Sequence, residues 1–375
     1  MTSLAYMTSL TRHLPAAILA ASLAAAVGCG SDSTGPGGAR PSRGVVVLNT
    51  FGVRGVTLLA DTGSESAHID FGDGFDGGSF TLRNDTLLST SSSLGGDKLY
   101  VADLEGTLET FQMPPGSNPA GAAFLDGTST YLVALRNTGQ LAAVARTLES
   151  EANITLFDNM GRCPADVFRY GGDLYAVDAN ASCAEGTYIS QGPARLIRAA
   201  TSGAARDTIP LPVSFGTGAS VVVDGDFAYV ALNGVADFSD YPVTTFVTPG
   251  SVTKVNLVTR QAVITVQFAP GTYGAGMRRG ADGLLYVALF TSTDFSTRVI
   301  HRITPSTMDI ESALPLRSAT GAPANCVAAT ADAQGRVHCV VTDDGGASTL
   351  LVFDGSGTAT RSVPAGTYAA DLAVR

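Results

Sequence analysis

The sequence predicts an all-β chain whose strands group into seven four-stranded units closed into a ring. Three observations carry this. No segment keeps a 3.6-residue apolar period beyond two turns, which speaks against amphipathic helices. A short apolar run recurs at Val46, Leu88, Tyr131, Tyr175, Tyr229, Tyr286 and His338, with gaps of 42, 43, 44, 54, 57 and 52 residues. Periods of that size belong to repeated supersecondary units, not to single strands. The two chain ends hold complementary parts of one unit.

Residues 1–28 read as an export signal. Arg12 and His13 make a weakly basic start, and Ala16–Val27 is an apolar stretch of small residues, too short to span a bilayer. Ala26-Val27-Gly28-Cys29 resembles the lipobox of bacterial lipoproteins. That resemblance implies cleavage ahead of Cys29 and diacylation of its sulfur; the alternative is an ordinary secretory signal with an incidental cysteine. Residues 29–43 are rich in Gly, Ser and Pro and read as the lipidated cysteine and a flexible tether. The folded part is expected over 44–375. It is exported and lipid-anchored, on the periplasmic or outer-membrane surface.

Composition narrows the partners. Hydrophobic residues make up 45% of the chain and charged residues 15%, so this is not a disordered polyelectrolyte. The net charge is −10 and the only lysines are Lys98 and Lys254, a balance that excludes the basic face a nucleic-acid binder needs. A monomer is expected.

Each unit divides into strands A to D. In the fifth they are GASVVVDG, DFAYVALNG, GSVTKVNLVT and QAVITVQF; in the sixth GAGMRRGADG, LLYVALF, TRVIHRIT and DIESALPL; in the second SFTLRND, TLLSTSSS, DKLYVADL and TLETFQM. Polar turns such as Asp224-Gly225 and Asp282-Gly283 join A to B. The chain ends in Tyr368–Arg375, an A strand with nothing after it. It begins with GVVVLNT, VTLLADT and SAHIDF, which are B, C and D strands with no A before them. Sharing one blade between the ends closes the ring.

The phrases Gly-Asp-Leu-Tyr-Ala-Val, Asp-Gly-Leu-Leu-Tyr-Val-Ala and Asn118-Pro119-Ala120-Gly121 resemble the repeats of YVTN/NHL-type bacterial β-propellers, a group that includes gluconolactonase-like and quinoprotein-like rings. The resemblance covers nearly all of 43–375 and implies a seven-bladed β-propeller. Such repeats specify a fold and leave function open.

Four cysteines follow Cys29, and four permit three pairings. The strand map favours Cys163–Cys183, at one end of a blade 4 hairpin, and Cys326–Cys339, across strands A and B of blade 7. Buried thiols are the alternative. His68, His301 and His338 fall singly inside strands and read as satisfied strand residues.

Aligning the A strands puts Gly121, Asp166, Ser220, Gly276, Asn325 and Asp371 at equivalent places around the central channel. Asp166, Ser220, Asn325 and Asp371 offer oxygen ligands, which Ca²⁺ or another divalent cation takes. The gluconolactonase resemblance implies a metal-dependent hydrolase of lactones at such a site, although the glutamate of that family's site has no counterpart here. The plainer reading is small polar groups that bind water. Arg83, Arg169, Arg278, Arg279 and Arg375, interleaved with Asp126, Asp224 and Asp332, are expected to form salt bridges at the far mouth. Asp70–Gly77 reads as a turn, its spacing departing from that of a calcium loop.

The longer gaps hold B-to-C loops in blades 4, 5 and 6: Ala179–Pro193, Asn233–Gly250 and Phe290–Thr297. They carry Tyr188, Asp237, Phe238, Asp240, Tyr241, Phe246, Asp294 and Phe295, and adjacency of the blades would make them one wall. Aromatic rings beside carboxylates suit recognition of a protein or glycan ligand. No acid–base pair or nucleophile motif stands out, so a non-catalytic binding or scaffolding module is the expected function.

Overall fold

The computed structural model describes residues 44–375 except 61–64, 93–95, 127–128, 147–152, 185–188, 202–204, 214–217 and 240–243. The export signal, Cys29, the tether, Tyr188, Asp240 and Tyr241 lie outside the described residues.

Every regular element among the described residues is a β-strand, and seven four-stranded antiparallel sheets follow one another around the ring. Blade 1 is the shared one. Its inner strand, Ala369–Val374, pairs with Gly44–Asn49, which pairs in turn with Gly55–Ala60 and Glu65–Asp70. Val45 lies opposite Val374 and Leu48 opposite Asp371, and the Arg375 amide donates to the Gly44 carbonyl at 2.8 Å. Both expected disulfides are present, Cys163–Cys183 and Cys326–Cys339, with Cα separations of 5.4 and 5.7 Å.

Second strands are buried almost throughout because both sheet faces meet neighbouring blades; Tyr175–Asp178, Ala228–Leu232 and Leu285–Leu289 are buried at every position. A Tyr is the knob of blades 3 to 6. Tyr131, Tyr175 and Tyr286 are fully covered, and Tyr175 stacks on Phe168 with ring centroids 4.9 Å apart. Each such ring contributes about 2–3 kcal/mol by leaving water. A buried phenol must also place its hydroxyl, and Tyr286 donates to Asp282 at 2.6 Å. In blade 7 the anchor is His338, whose Nε2 lies 2.9 Å from Asp332.

One strand departs from expectation. The segment DIESALPL forms a strand only at Asp309–Ile310. Pro315 lacks the N–H a ladder needs, and the chain beyond turns toward blade 7, where Arg317 bridges Thr358.

Candidate binding site

In each blade the A-to-B and C-to-D turns lie at one end of the strands and the B-to-C and D-to-A connections at the other. The inner strands line a central channel of about 890 Å³. Pairing against the second strands fixes which inner residues are equivalent. Two residues beyond the Tyr or His anchor, the partners are Ala122 for Val133, Asp166 for Val177, Ser220 for Ala231, Gly276 for Ala288 and Ala328 for Val340. Asp371 holds the same place opposite Leu48 in blade 1. The sequence alignment is therefore corrected at two blades: Ala122 stands where Gly121 was expected, and Ala328 where Asn325 was. The irregularity between Pro119 and Ala122 adds one residue and accounts for the first offset, whereas Asn325 lies ahead of its inner strand, which begins at Cys326.

Asp166 and Asp371 repeat one device. Asp166 accepts the amide of Val167 at 2.8 Å and that of Val221, in the next blade, at 3.0 Å. Asp371 accepts Leu372 at 2.9 Å and Phe80, in the next blade, at 3.2 Å. Each carboxylate thus ties its blade to the neighbour. Gly121 leaves room for one of them: a Cβ there would sit 2.3 Å from Asp166 Oδ1. The other inner hydroxyls bridge blades too, Ser220 donating to the Met277 carbonyl at 3.2 Å and Thr330 to that of Arg279 at 3.2 Å.

Arg278 does not join the far mouth as the sequence suggested. Its Nε donates to Asp371 Oδ1 at 2.9 Å, and its Nη2 donates to Asp371 Oδ2 and, at 2.7 Å, to the Phe80 carbonyl. The guanidinium carbon lies 4.6 Å from the centre of the Phe80 ring. The far-mouth pairs that do form include Arg279–Asp224 at 2.7 Å and Arg375–Asp85.

Asp166, deep in the channel, loses much of its hydration, and this pushes its carboxyl up to about 7 despite the two amide bonds and Arg278 nearby. For the four residues considered as cation ligands, the structure brings Asp166, Ser220 and Asp371 to the channel and leaves Asn325 out of its lining. Among the described residues no three His, Cys, Asp or Glu side chains cluster as metal ligands do. A guanidinium holding both Asp371 oxygens is a poor neighbour for a divalent cation, so these residues do not fit one.

Asn325 staples a loop instead. Its Oδ1 accepts the Arg298 amide at 2.6 Å and its Nδ2 donates to the Ser296 carbonyl. The stapled loop, residues 291–297, carries Phe295 in a left-handed backbone with φ of 59°, a conformation a bulky residue avoids unless its surroundings impose it. The surroundings are visible. The Phe295 amide donates to the Ser292 carbonyl, Asp294 accepts the Ser296 amide, and Thr297 donates to Ser292 Oγ. Hydrogen bonds from Ser292 and Ser296 hold Asp294 down to about 2.

Phe295 is the hub of an aromatic cluster built from two blades. Its centroid is 5.0 Å from Phe290, 5.5 Å from Phe246, 5.9 Å from Tyr273 and 6.0 Å from Phe238. Phe238 and Phe246 come from the blade 5 loop, which forms a two-stranded hairpin of Val235–Asp237 and Thr245–Thr248 that the sequence did not disclose. Phe238 is 47% exposed and Val247 58%. Asp237 stands beside them, its carboxyl kept below the usual range by the Ser239 amide. Phe290, Tyr273 and Asn233 also line the channel, so the wall abuts its mouth.

The blade 4 loop sits on a rigid base. Buried Asp178 accepts the amides of Arg162, Cys163 and Asn180 and Nε of Arg195 at 2.7–3.0 Å, beside the Cys163–Cys183 bridge. A further pair on the same face escaped the sequence reading: Phe51 and Tyr368, both about half exposed, meet edge to face at 5.9 Å. A Phe in a B-to-C turn and a Tyr just before the last strand were the available signals.

No family model and no curated relative matches the chain. Among solved structures, a protein from Lactobacillus plantarum is similar with a TM-score of 0.62, 13% identity, and coverage of 89% of this chain and 99% of that one. The periplasmic gluconolactonase PpgL of Pseudomonas aeruginosa gives 0.61, 14%, 88% and 98%. A 6-phosphogluconolactonase-like protein of Bacteroides fragilis gives 0.57, 12%, 91% and 100%. At these identities the likeness establishes the seven-bladed fold.

Proposed function

We propose that the protein is an exported, membrane-anchored propeller that acts as a non-catalytic binding or scaffolding module, taking a protein or glycan ligand on the loop wall of blades 5 and 6. The observation that carries this reading is the Phe295 hub, where a strained backbone and an Asn325 staple hold Phe238 half exposed beside Asp237. Rigid aromatic groups flanked by carboxylates give contact area at little ordering cost. The anchor is Cys29, and Cys29→Ser is expected to move the protein from the detergent phase to the soluble fraction.

A second reading, a metal-dependent hydrolase of lactone-like substrates in the channel, draws on the likeness to gluconolactonase structures. The Arg278–Asp371 pair weighs against it. The two readings separate in one comparison: Phe238→Ala should abolish capture of the ligand from the native envelope while leaving the melting temperature unchanged. Stoichiometric divalent metal that is lost in Asp166→Ala would favour the hydrolase instead.

A further inference from the structure

Ring closure removes the edges between blades but leaves seven outer ones, one for each fourth strand. Such edges are usually blunted by charge, proline or brevity. Five fit that description: Glu65–Asp70, Leu108–Gln112 and Ala205–Pro210 carry charges, Ala359–Thr367 carries Arg361 and Pro364, and Asp309–Ile310 is two residues long. A sixth, Asn153–Phe157, is uncharged with Leu156 41% exposed, but it offers only five residues to a partner. The seventh, Gln261–Gln267 of blade 5, is a seven-residue uncharged strand, QAVITVQ, with Val263 56% and Ile264 40% exposed. No strand flanks its outer side among the described residues. Its one protection is a bulge at Val263, since Lys254 pairs with Ile264 and Val255 with Ala262.

The strand is also self-complementary. Laid antiparallel on a second copy and centred on Ile264, it sets Gln261 against Gln267, Ala262 against Val266, Val263 against Thr265, and Ile264 against itself. β-branched pairs and amide pairs stabilise neighbouring strands, and a contact in which one patch meets itself closes as a two-fold dimer. A chain of net charge −10 resists self-association elsewhere, so a segment without charge is where two copies can approach. We propose that Gln261–Gln267 is a homodimerisation edge, pairing two propellers through one continuous eight-stranded sheet. This revises the monomer expected from the sequence and is independent of the ligand site.

Cross-linking tests the register. In the full-length protein, Ile264→Cys places two thiols opposite one another on the two-fold axis. Mild oxidation should convert most of it to a reducible dimer. Val258→Cys, equally accessible in the adjoining turn at 60% exposure, should give no more dimer than the wild type. Light scattering of wild type and Ile264→Lys supplies the second arm, with an expected twofold loss of protein mass in the variant and an unchanged melting temperature. A wild type that is monomeric, or equal cross-linking at 264 and 258, overturns the proposal.

Discussion

Arg278 of blade 6 grips Asp371 of blade 1 through two hydrogen bonds while blade 7 lies between them in the ring. Asp371 belongs to the last strand of the chain and also receives the Phe80 amide of blade 2. One ion pair therefore joins three blades at the seam where the termini meet.

Removing one partner should be costly, because the Asp371 side chain is 8% exposed and would be left buried without its guanidinium partner. Arg278→Ala is expected to lower unfolding free energy by about 3 kcal/mol in urea titrations. Arg278→Lys should recover only part of this, since an ammonium cannot reproduce the two-pronged contact.

Asp166 sets a pH dependence. Its folded pKa, about 7, lies above the unfolded value near 3.8. The folded state thus holds a proton that the unfolded state releases, and the contribution is complete below pH 4 and lost as pH rises through 7. Asp166→Asn should flatten the decline in stability between pH 4 and 7. A variant that declines as steeply as the wild type would assign the dependence to other groups.

The terminal strand closes the ring. Deleting residues 368–375 removes the inner strand of blade 1 together with Asp371, and cooperative thermal unfolding should disappear. Unchanged melting would contradict closure by this strand.

Reduction should act on blade 4. The Cys163–Cys183 bridge spans 20 residues, a loop for which cross-linking stabilises by about 3 kcal/mol. Replacing both cysteines with Ser should shift the denaturant midpoint accordingly, and proteolysis should then cut first within 179–194.

The fold is legible because the repeat is local: each anchor, each alternation and each Asp-Gly turn is written within a unit of 42 to 57 residues. The shared blade followed from counting strands at the two ends. The site was legible only in part. Phe238, Phe246 and Phe295 were recognised as loop aromatics, but their convergence depends on a hairpin inside a loop and on the Asn325 staple from the next blade. Asn325 precedes the inner strand, which begins at Cys326 and reaches the channel position only at Ala328, and no spacing rule marks where that strand starts. Sequence order places Arg278 toward the far mouth because it gives strand position but not the reach of a long side chain across a channel.

The central claim is that the ligand seats on the blade 5–6 wall. Photo-cross-linking tests it most directly, with a benzoylphenylalanine at Phe238 and, in a second variant, at exposed Glu105 in the blade 2 C-to-D turn on the opposite face, each illuminated in the native envelope. The account predicts a discrete adduct from position 238 and none from 105. An adduct from 105 alone, or none from 238 in a correctly folded protein, would contradict it.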